Sequence, residues 1–473
     1  MSGTGDPRHM IVIGGGVGGY TAAIRGARHG MKVTLVEDNA LGGTCLNVGC
    51  IPTKSLLHNS RMIRELPHHL ELVGSEAFVE LKQDVFGNLG VEKSAAVDRL
   101  VQGVETLIKR NRITHVQDRA VLSSANAVRL EKAGREISGD IVVLATGSVP
   151  AIPKVKGIDC EGVVTSDAAI DLKECPKQLA IMGGGVIGVE FAQIFANLGT
   201  EVTIIEIADT ILTEEDPEAA AVLAKVLEGE GVSMRTGTRV DEIKAVKSRL
   251  QLNLKGAAGD DRIEADMILV ATGRKPNIDG VGLEAASVDT RHGAIVVDER
   301  MRTSAPGVYA VGDATGGPLL AHRATAQAEC ALADILGTPA PAMSALAMPR
   351  AVYTHPEIAS VGLSEAEARS RGPVKVGRSP FSANGKALVD GHAEGFVKIV
   401  ADAEYEQILG ITMVGPDVSN LLGEATLAVQ MELTLSALMF TVHAHPTLSE
   451  ALAEAAHDAH DGGAIHMPPA RKR

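Results

Sequence analysis

Short apolar runs alternate with helical periodicities over most of this chain, a pattern that suits parallel strands covered on both faces by helices. Met10 to Ile13 reads as a buried strand, followed by Gly14-Gly15-Gly16-Val17-Gly18-Gly19 and a helical stretch from Tyr20 to His29; the next strand, Lys32 to Val36, ends at Glu37. This is one βαβ dinucleotide unit. Its glycines let the turn tighten and a pyrophosphate approach backbone N–H groups at the helix start, while Glu37 can bind ribose hydroxyls. The unit recurs: Leu179 to Met182 is a strand, Gly183-Gly184-Gly185-Val186-Ile187-Gly188 the turn, Val189 to Leu198 helical, and Val202 to Ile205 leads to Glu206. Two such sites imply two nucleotides or dinucleotides, with Gly14, Gly16 and Gly19 serving the first and Gly183, Gly185 and Gly188 the second. A carboxylate at Glu206 pairs with a free 2′-hydroxyl and repels a 2′-phosphate, which favours NAD over NADP.

Each unit is followed much later by an apolar strand and Ala-Thr-Gly, at Ala145-Thr146-Gly147 and Ala271-Thr272-Gly273. Repeated in step with the glycine turns, these triplets mark two related domains. After Tyr309 to Asp313 and a helix around Ala321 to Leu336, Gly337 to Ala342 reads as a linker. A third domain begins near Met343, with an antiparallel pair at Phe396 to Val400 and Ile408 to Val414. Helical spacing returns at Leu421, Leu422, Ala425, Ala428 and Val429, and the domain has no nucleotide signature.

Three domains agree with 473 residues at about 150 each. With 45% apolar residues, no Trp and 2% aromatics, the cores rest on Val, Ile, Leu and Ala. A net charge of −14 argues against a large basic surface for nucleic acid, and Arg471-Lys472-Arg473 reads as a solvated tail. No apolar signal core lies between Met1 and His9, and no stretch approaches the ~20 apolar residues of a membrane span, so a soluble cytoplasmic protein is expected.

Just beyond the first unit lies Gly42-Gly43-Thr44-Cys45-Leu46-Asn47-Val48-Gly49-Cys50-Ile51-Pro52-Thr53-Lys54. Two cysteines beside a bound nucleotide suggest redox chemistry. In a regular helix, residues five apart have Cα atoms roughly 8.6 Å apart and point about 140° away from each other. A disulfide needs Cα atoms about 4.4–6.8 Å apart. Bridging this pair therefore requires an irregular turn, which Gly49 permits and Pro52 ends by favouring entry into a helix. The competing reading is two unpaired buried thiols, the better expectation for intracellular cysteines taken at random. Position shifts those odds toward a bridge of the exchanging kind. Cys160, Cys175 and Cys330 have no such context and read as ordinary thiols; an odd total of five also argues against a disulfide framework.

Together these motifs resemble the pyridine nucleotide disulfide oxidoreductases over nearly the whole chain. The likeness is carried by Gly42 to Lys54, Gly183 to Glu190, Ala271 to Asn277, Tyr309 to Asp313, Leu320-Ala321-His322, and His443-Ala444-His445-Pro446-Thr447-Leu448-Ser449-Glu450. The resemblance implies an α/β fold of two Rossmann-like dinucleotide-binding domains plus a C-terminal mixed α/β dimerisation domain. Residues 1–149 and 274–342 would bind FAD, 150–273 would bind NAD, and 343–473 would form the homodimer interface. The implied activity is oxidation of a dihydrolipoyl group, carried on a protein of a 2-oxo acid dehydrogenase or related complex, with reduction of NAD+.

Carried over residue by residue, Cys45 would exchange with substrate and Cys50 would lie nearest the flavin. Gly43, Thr44, Lys54, Thr146 and Gly147 would contact FAD, Asp313 would hold its ribityl chain, and backbone near Ala321 and His322 would meet the ring. Lys54 would pair with Glu190, which with Val240 and Gly273 belongs to the NAD site. One departure stands out: where the family commonly has glycines near the adenine, this chain reads Gln117-Asp118-Arg119-Ala120, leaving that contact to backbone atoms. The adjacent C-terminal cysteine pair of the similar mercuric reductases is lacking.

A thiol with a pKa near about 8.5 is mostly protonated at neutral pH, so a base with a pKa around 6.5 can generate the attacking thiolate. His445 fits that task, and by resemblance it serves the other subunit's cysteines. His443-Ala444-His445 also has the spacing of strand metal ligands, but no third ligand lies nearby in sequence and no metal is expected. Thr447-Leu448-Ser449-Glu450 is a capping-box pattern. The resemblance gives Glu450 another role, fixing the tautomer of His445 and stabilising its cation.

Overall fold

The computed structural model describes residues 7–72, 82–256, 259–339 and 343–466. Ala340 to Ala342 of the expected linker and the basic tail Arg471 to Arg473 lie outside them. Two five-stranded parallel sheets carry the glycine turns. The first runs, in spatial order, Val308–Ala310, Ile141–Leu144, His9–Ile13, Lys32–Glu37 and Thr114–Gln117. The second runs Ser233–Arg235, Glu201–Ile205, Gln178–Met182, Met267–Val270 and Val163–Thr165. Their central strands are buried almost end to end, as continuous rather than alternating apolar runs require.

In each sheet the strand before the glycine turn lies third, between the strand that follows it in sequence and one that comes much later. Strand order reverses there, and in open α/β sheets such a switch point opens a crevice beyond the strands' carboxyl ends. The helices after the turns, Val17–Arg28 and Val186–Asn197, start three residues earlier than the apolar spacing indicates. Gly16 (φ −70°, ψ −174°) and Gly185 (φ −73°, ψ −175°) cap them with matching backbones. Glycine geometry, not an apolar stripe, therefore sets the first turn.

The same geometry explains why Ala-Thr-Gly accompanies each turn. A Cβ on Gly14 (φ +102°) would lie 2.2 Å from the Ala145 carbonyl oxygen, and one on Gly183 (φ +110°) would lie 2.5 Å from that of Ala271. Beneath each turn, a Cβ on Gly19 would meet the Gly14 oxygen at 1.8 Å and one on Gly188 the Gly183 oxygen at 1.9 Å. Turn, helix and triplet strand are in backbone contact, so none can change alone.

The third sheet is antiparallel, in the order Arg350–Val352, Glu357–Gly362, Ile408–Gly415, Phe396–Asp402, Val374–Pro380. It contains the expected pair, slightly lengthened, and the helix foreseen after it spans Leu422–Gln430. The last helix, Glu450–Asp461, lies directly on Val374–Pro380, where a Cβ on Gly377 would come within 2.1 Å of the Ala455 carbonyl oxygen. That contact seats the helix on the sheet, and with it the His443 to Ser449 turn that leads into it. Lys398, fully buried, bridges this sheet to Asp216 at 2.6 Å and Glu218 at 2.9 Å on the second nucleotide domain. Among the described residues, no helix is long and apolar enough to cross a membrane.

Two alanine variants separate packing from ligand approach. Gly188→Ala should cost about 1–3 kcal/mol or more in urea unfolding, because its methyl group displaces a helix from a strand. Gly185→Ala, with nothing within 4 Å of its Cβ, should unfold like the wild type. Equal losses in the two would contradict this division.

Candidate active site

Cys45 lies in the short helix Gly43–Asn47, and Cys50 opens the helix Cys50–Leu72. Their sulfurs are bonded, with Cα atoms 4.6 Å apart. The irregular turn foreseen between them is present, but Gly49 does not adopt a left-handed backbone. It contributes by lacking a side chain, since a Cβ there would press to 2.9 Å from the Thr44 carbonyl oxygen. Gly43 (φ +58°) is closer still: its Cβ would come within 2.6 Å of the Gly16 Cα. Gly42 N–H also donates to the Gly15 carbonyl at 2.9 Å. The disulfide segment thus crosses the first glycine turn in backbone contact. The other three cysteines are unbridged; burial pushes the Cys175 thiol up to about 11 and raises that of Cys330.

One continuous cavity of about 2160 Å³ joins the disulfide to both turns. Sites for single drug-sized ligands are about 300–1,000 Å³, so this space is large enough for two extended molecules. From the first domain Gly14, Gly16, Glu37, Gly43, Thr44, Lys54, Thr146, Gly147, Asp313, Ala321 and His322 line it; from the second, Gly183, Gly185, Glu190, Glu206, Val240 and Gly273 do. Gly19 and Gly188 sit under the turns instead. Glu37 and Glu206 are placed alike, each with one oxygen accepting the N–H of the second turn glycine, Gly15 or Gly184, at 2.6 Å. Their other oxygens accept from Asn39 and Ala208 N–H at 2.9 and 2.8 Å. Burial raises the Glu37 carboxyl above its ordinary value, against the pull of the Gly15 and Asn39 N–H groups.

Behind the disulfide, Lys54 Nζ donates to both Glu190 oxygens at 2.8 Å and lies 4.8 Å from the centre of the Tyr353 ring. Glu190 is buried and also accepts Tyr353 N–H at 3.1 Å. The sequence reading passed over Arg274, which closes the site on the other side. It donates to Ser148 Oγ at 3.0 Å, to Asp167 Oδ1 at 2.9 Å and to Thr44 Oγ1 at 3.3 Å, while Ser148 Oγ donates to Asp313 Oδ2 at 2.6 Å. One guanidinium therefore ties the residue before Cys45 to both nucleotide domains. Its signal was its place directly after Gly273, in a segment otherwise read for its glycine.

His445 and Glu450 are brought together, but not to this cavity. His445 Nδ1 faces Glu450 Oε1 at 2.9 Å, with the histidine side chain 77% exposed. The capping box is only half formed: Glu450 Oε2 accepts Thr447 N–H at 2.8 Å, whereas Thr447 Oγ1 donates to the Ala444 carbonyl at 2.7 Å instead of capping the helix. Burial pushes the Glu450 carboxyl up, yet Thr447 N–H and His445 outweigh it and hold the group below its ordinary value. His443 turns inward to Glu424 at 2.9 Å.

Sequence models of the pyridine nucleotide-disulphide oxidoreductases and of their dimerisation domain match residues 8–328 and 348–456. The chain belongs to this family. It is 44% identical to a dihydrolipoyl dehydrogenase of Thermus scotoductus, over 97% of this chain and 98% of that one. It is 40% identical to a dihydrolipoyl dehydrogenase of Bacillus subtilis, over 94% and 97%. The crystal structure of LpdA from Mycobacterium tuberculosis superposes with a TM-score of 0.87 at 26% identity, covering 95% of this chain and 99% of that one.

FAD and NAD are the cofactors of this family, and the residues present fit them. Each turn is a cradle that side chains would fill, and Thr146 Oγ1, on the cavity wall, is buried without a hydrogen-bond partner among the described residues. Such an orphan suits a ligand hydrogen bond. At the Gln117 to Ala120 departure, Asp118 lies on the cavity wall and its carboxylate accepts the Lys132 and Ala133 N–H groups at 2.8 and 2.9 Å. The wall there keeps Arg119 and Ala120 beside it.

Removing the ammonium from the Lys54–Glu190 pair leaves a buried carboxylate with a single N–H donor. Lys54→Met should therefore lower the unfolding free energy of the holoenzyme by about 1–3 kcal/mol, measured in urea. Unchanged stability would mean that the pair is not what solvates Glu190.

Proposed function

We propose that the protein oxidises a protein-bound dihydrolipoyl group to lipoyl disulfide and reduces NAD+ to NADH, working through the Cys45–Cys50 bridge. One observation carries this reading: the bridge opens onto the same cavity as two dinucleotide cradles, and its segment touches the first of them. Bound FAD and NAD would supply the electron-pair chemistry beyond the dithiol.

The protein's own part is thiol exchange. A substrate thiolate attacks Cys45 Sγ, and Cys50 leaves as a thiolate. The second substrate thiol, once deprotonated, attacks the mixed disulfide at the substrate's sulfur. Lipoyl disulfide forms and Cys45 leaves reduced. Lys54, Asp313 and the glycine cradles hold the first cofactor, and Glu206, Val240 and Gly273 the second. The division into 1–149 with 274–342, 150–273 and 343–473 is part of this proposal.

The proton goes to His445. With Nδ1 donating to Glu450, the Nε2 lone pair is free to accept it. Because His445 stands exposed and off the cavity of its own chain, the proposal is a homodimer in which His445 of the partner subunit reaches the bridge. The dimerisation-domain match supports this, as do the exposed apolar residues Leu427, Met431, Phe440 and Val442 on the same domain. The physiological substrate is proposed as the lipoyl-bearing protein of a 2-oxo acid dehydrogenase or related complex. The unbridged Cys160, Cys175 and Cys330 suit a reducing compartment such as the cytoplasm.

Anaerobic mixing with dihydrolipoamide and NAD+ should produce NADH, and Cys45→Ser should abolish it. NADH formation undiminished in that variant, or a preference for glutathione disulfide with NADPH, would refute the route. Glu450→Gln keeps an acceptor for Thr447 N–H but removes the charge beside His445. It should fold normally with turnover reduced on the order of 10²-fold; near-normal turnover would leave Glu450 a structural residue only.

A further inference from the structure

A second cluster of chemically capable side chains lies outside the redox cavity, where three separate segments meet. Glu65 stands near the far end of the helix that begins at Cys50, His355 precedes the strand Glu357–Gly362, and His392 follows the short helix Gly385–Val389. His355 Nε2 and His392 Nδ1 are 3.1 Å apart, and His392 Nε2 is 3.4 Å from Glu65 Oε1. One nitrogen from each imidazole and one Glu65 oxygen all lie within 4.8 Å of one another. They border a cleft of about 180 Å³.

Three features make this more than a chance meeting of polar groups. His355 is held by two backbone bonds to one side chain: its N–H donates to Gln193 Oε1 and its carbonyl accepts from Gln193 Nε2, both at 2.7 Å. Its ring is also under-satisfied, because Nδ1 is buried without a partner among the described residues. With one ring nitrogen uncommitted, the imidazole can shift its proton and offer either nitrogen as a ligand. The charges permit a cation: Arg61 and Arg64 border the cleft, but so do Glu65, Glu230 and Glu394. Arg64 is paired with Glu230, while Arg61 holds Glu65 Oε1 at 2.6 Å, so a cation takes the second Glu65 oxygen or displaces Arg61.

We infer that Glu65, His355 and His392 form a site for a divalent transition ion of the zinc class, which staples the helix of Cys50 to the C-terminal domain. Two imidazoles and one carboxylate are a known zinc donor set, with a fourth position left to water. Zinc–nitrogen bonds of about 2.0–2.1 Å place tetrahedral ligand atoms roughly 3.3 Å apart. One nitrogen of each imidazole and one Glu65 oxygen lie within 4.8 Å of one another, so small side-chain rotations bring the three donors to that spacing. The zinc class is favoured over magnesium or calcium because two of the three donors are nitrogen.

The test uses oxidised holoenzyme, in which the bridged cysteines cannot ligate metal. After stripping with chelator, dialysis against zinc and then metal-free buffer, the wild type should retain one zinc per chain. Zinc should also raise its thermal midpoint, since an ion bound only by the folded state stabilises it. His392→Ala and Glu65→Gln should each weaken zinc binding at least tenfold by calorimetry and lose the thermal shift. His460→Ala, at the two-ligand pair with Glu406, should retain both. Absence of retained zinc in the wild type, or binding by His392→Ala equal to the wild type, would overturn the assignment.

Discussion

The site depends on a backbone approach that only missing side chains allow. Gly43 and Gly16 bring two segments so close that a single methyl group on Gly43 would lie 2.6 Å from the opposing Cα. This contact sets the disulfide against the nucleotide turn. Everything else positions it: the left-handed Gly42 and Gly43 aim the short helix of Cys45, Gly49 lets the chain fold back, and Cys50 starts a new helix within bonding distance. Pro52 falls within that helix's first turn, where its missing N–H costs nothing.

The two nucleotide domains solve one packing problem twice. A parallel strand must hand the chain to a helix while leaving N–H groups uncovered for an anion. In both domains the solution is a left-handed glycine under a carbonyl of the Ala-Thr-Gly strand, a glycine cap, and a third glycine pressed on the first. The acid at the end of the second strand has a double use. Glu37 and Glu206 brace the turn through the second glycine's N–H, so the acid suited to a ribose also shapes the cradle.

These features were legible in sequence because they are local. Glycine spacing, strand and acid all lie within one unit, and their repetition told more than either copy. The helices start earlier than periodicity indicates, because periodicity tracks burial, whereas Gly16 and Gly185 begin those helices by backbone geometry. What stayed hidden depends on distant contacts. Arg274 gains its meaning from Thr44, Ser148 and Asp167, which lie far from it in the chain. Likewise, the capping-box pattern at Thr447 and Glu450 was correct in residue types. The structure divides it, because Glu450 has His445 to hold as well as the Thr447 N–H.

That division bears on the proposed homodimer, in which the chemistry would be shared between subunits. A base on a solvent-facing turn would swing freely unless something local held it. Glu450 is fixed by its helix, and the helix is fixed on the strand at Gly377. Orientation of His445 is thus established within one chain, while under the proposed function its distance to a disulfide would be left to assembly. On the other side, Lys54, Glu190 and Tyr353 hold the Cys50 helix against two further domains. A partner subunit docked as proposed on the C-terminal domain would therefore meet a disulfide whose position is already set relative to that domain. In the proposed homodimer, two rigidly held halves would need only one correct interface to complete the site.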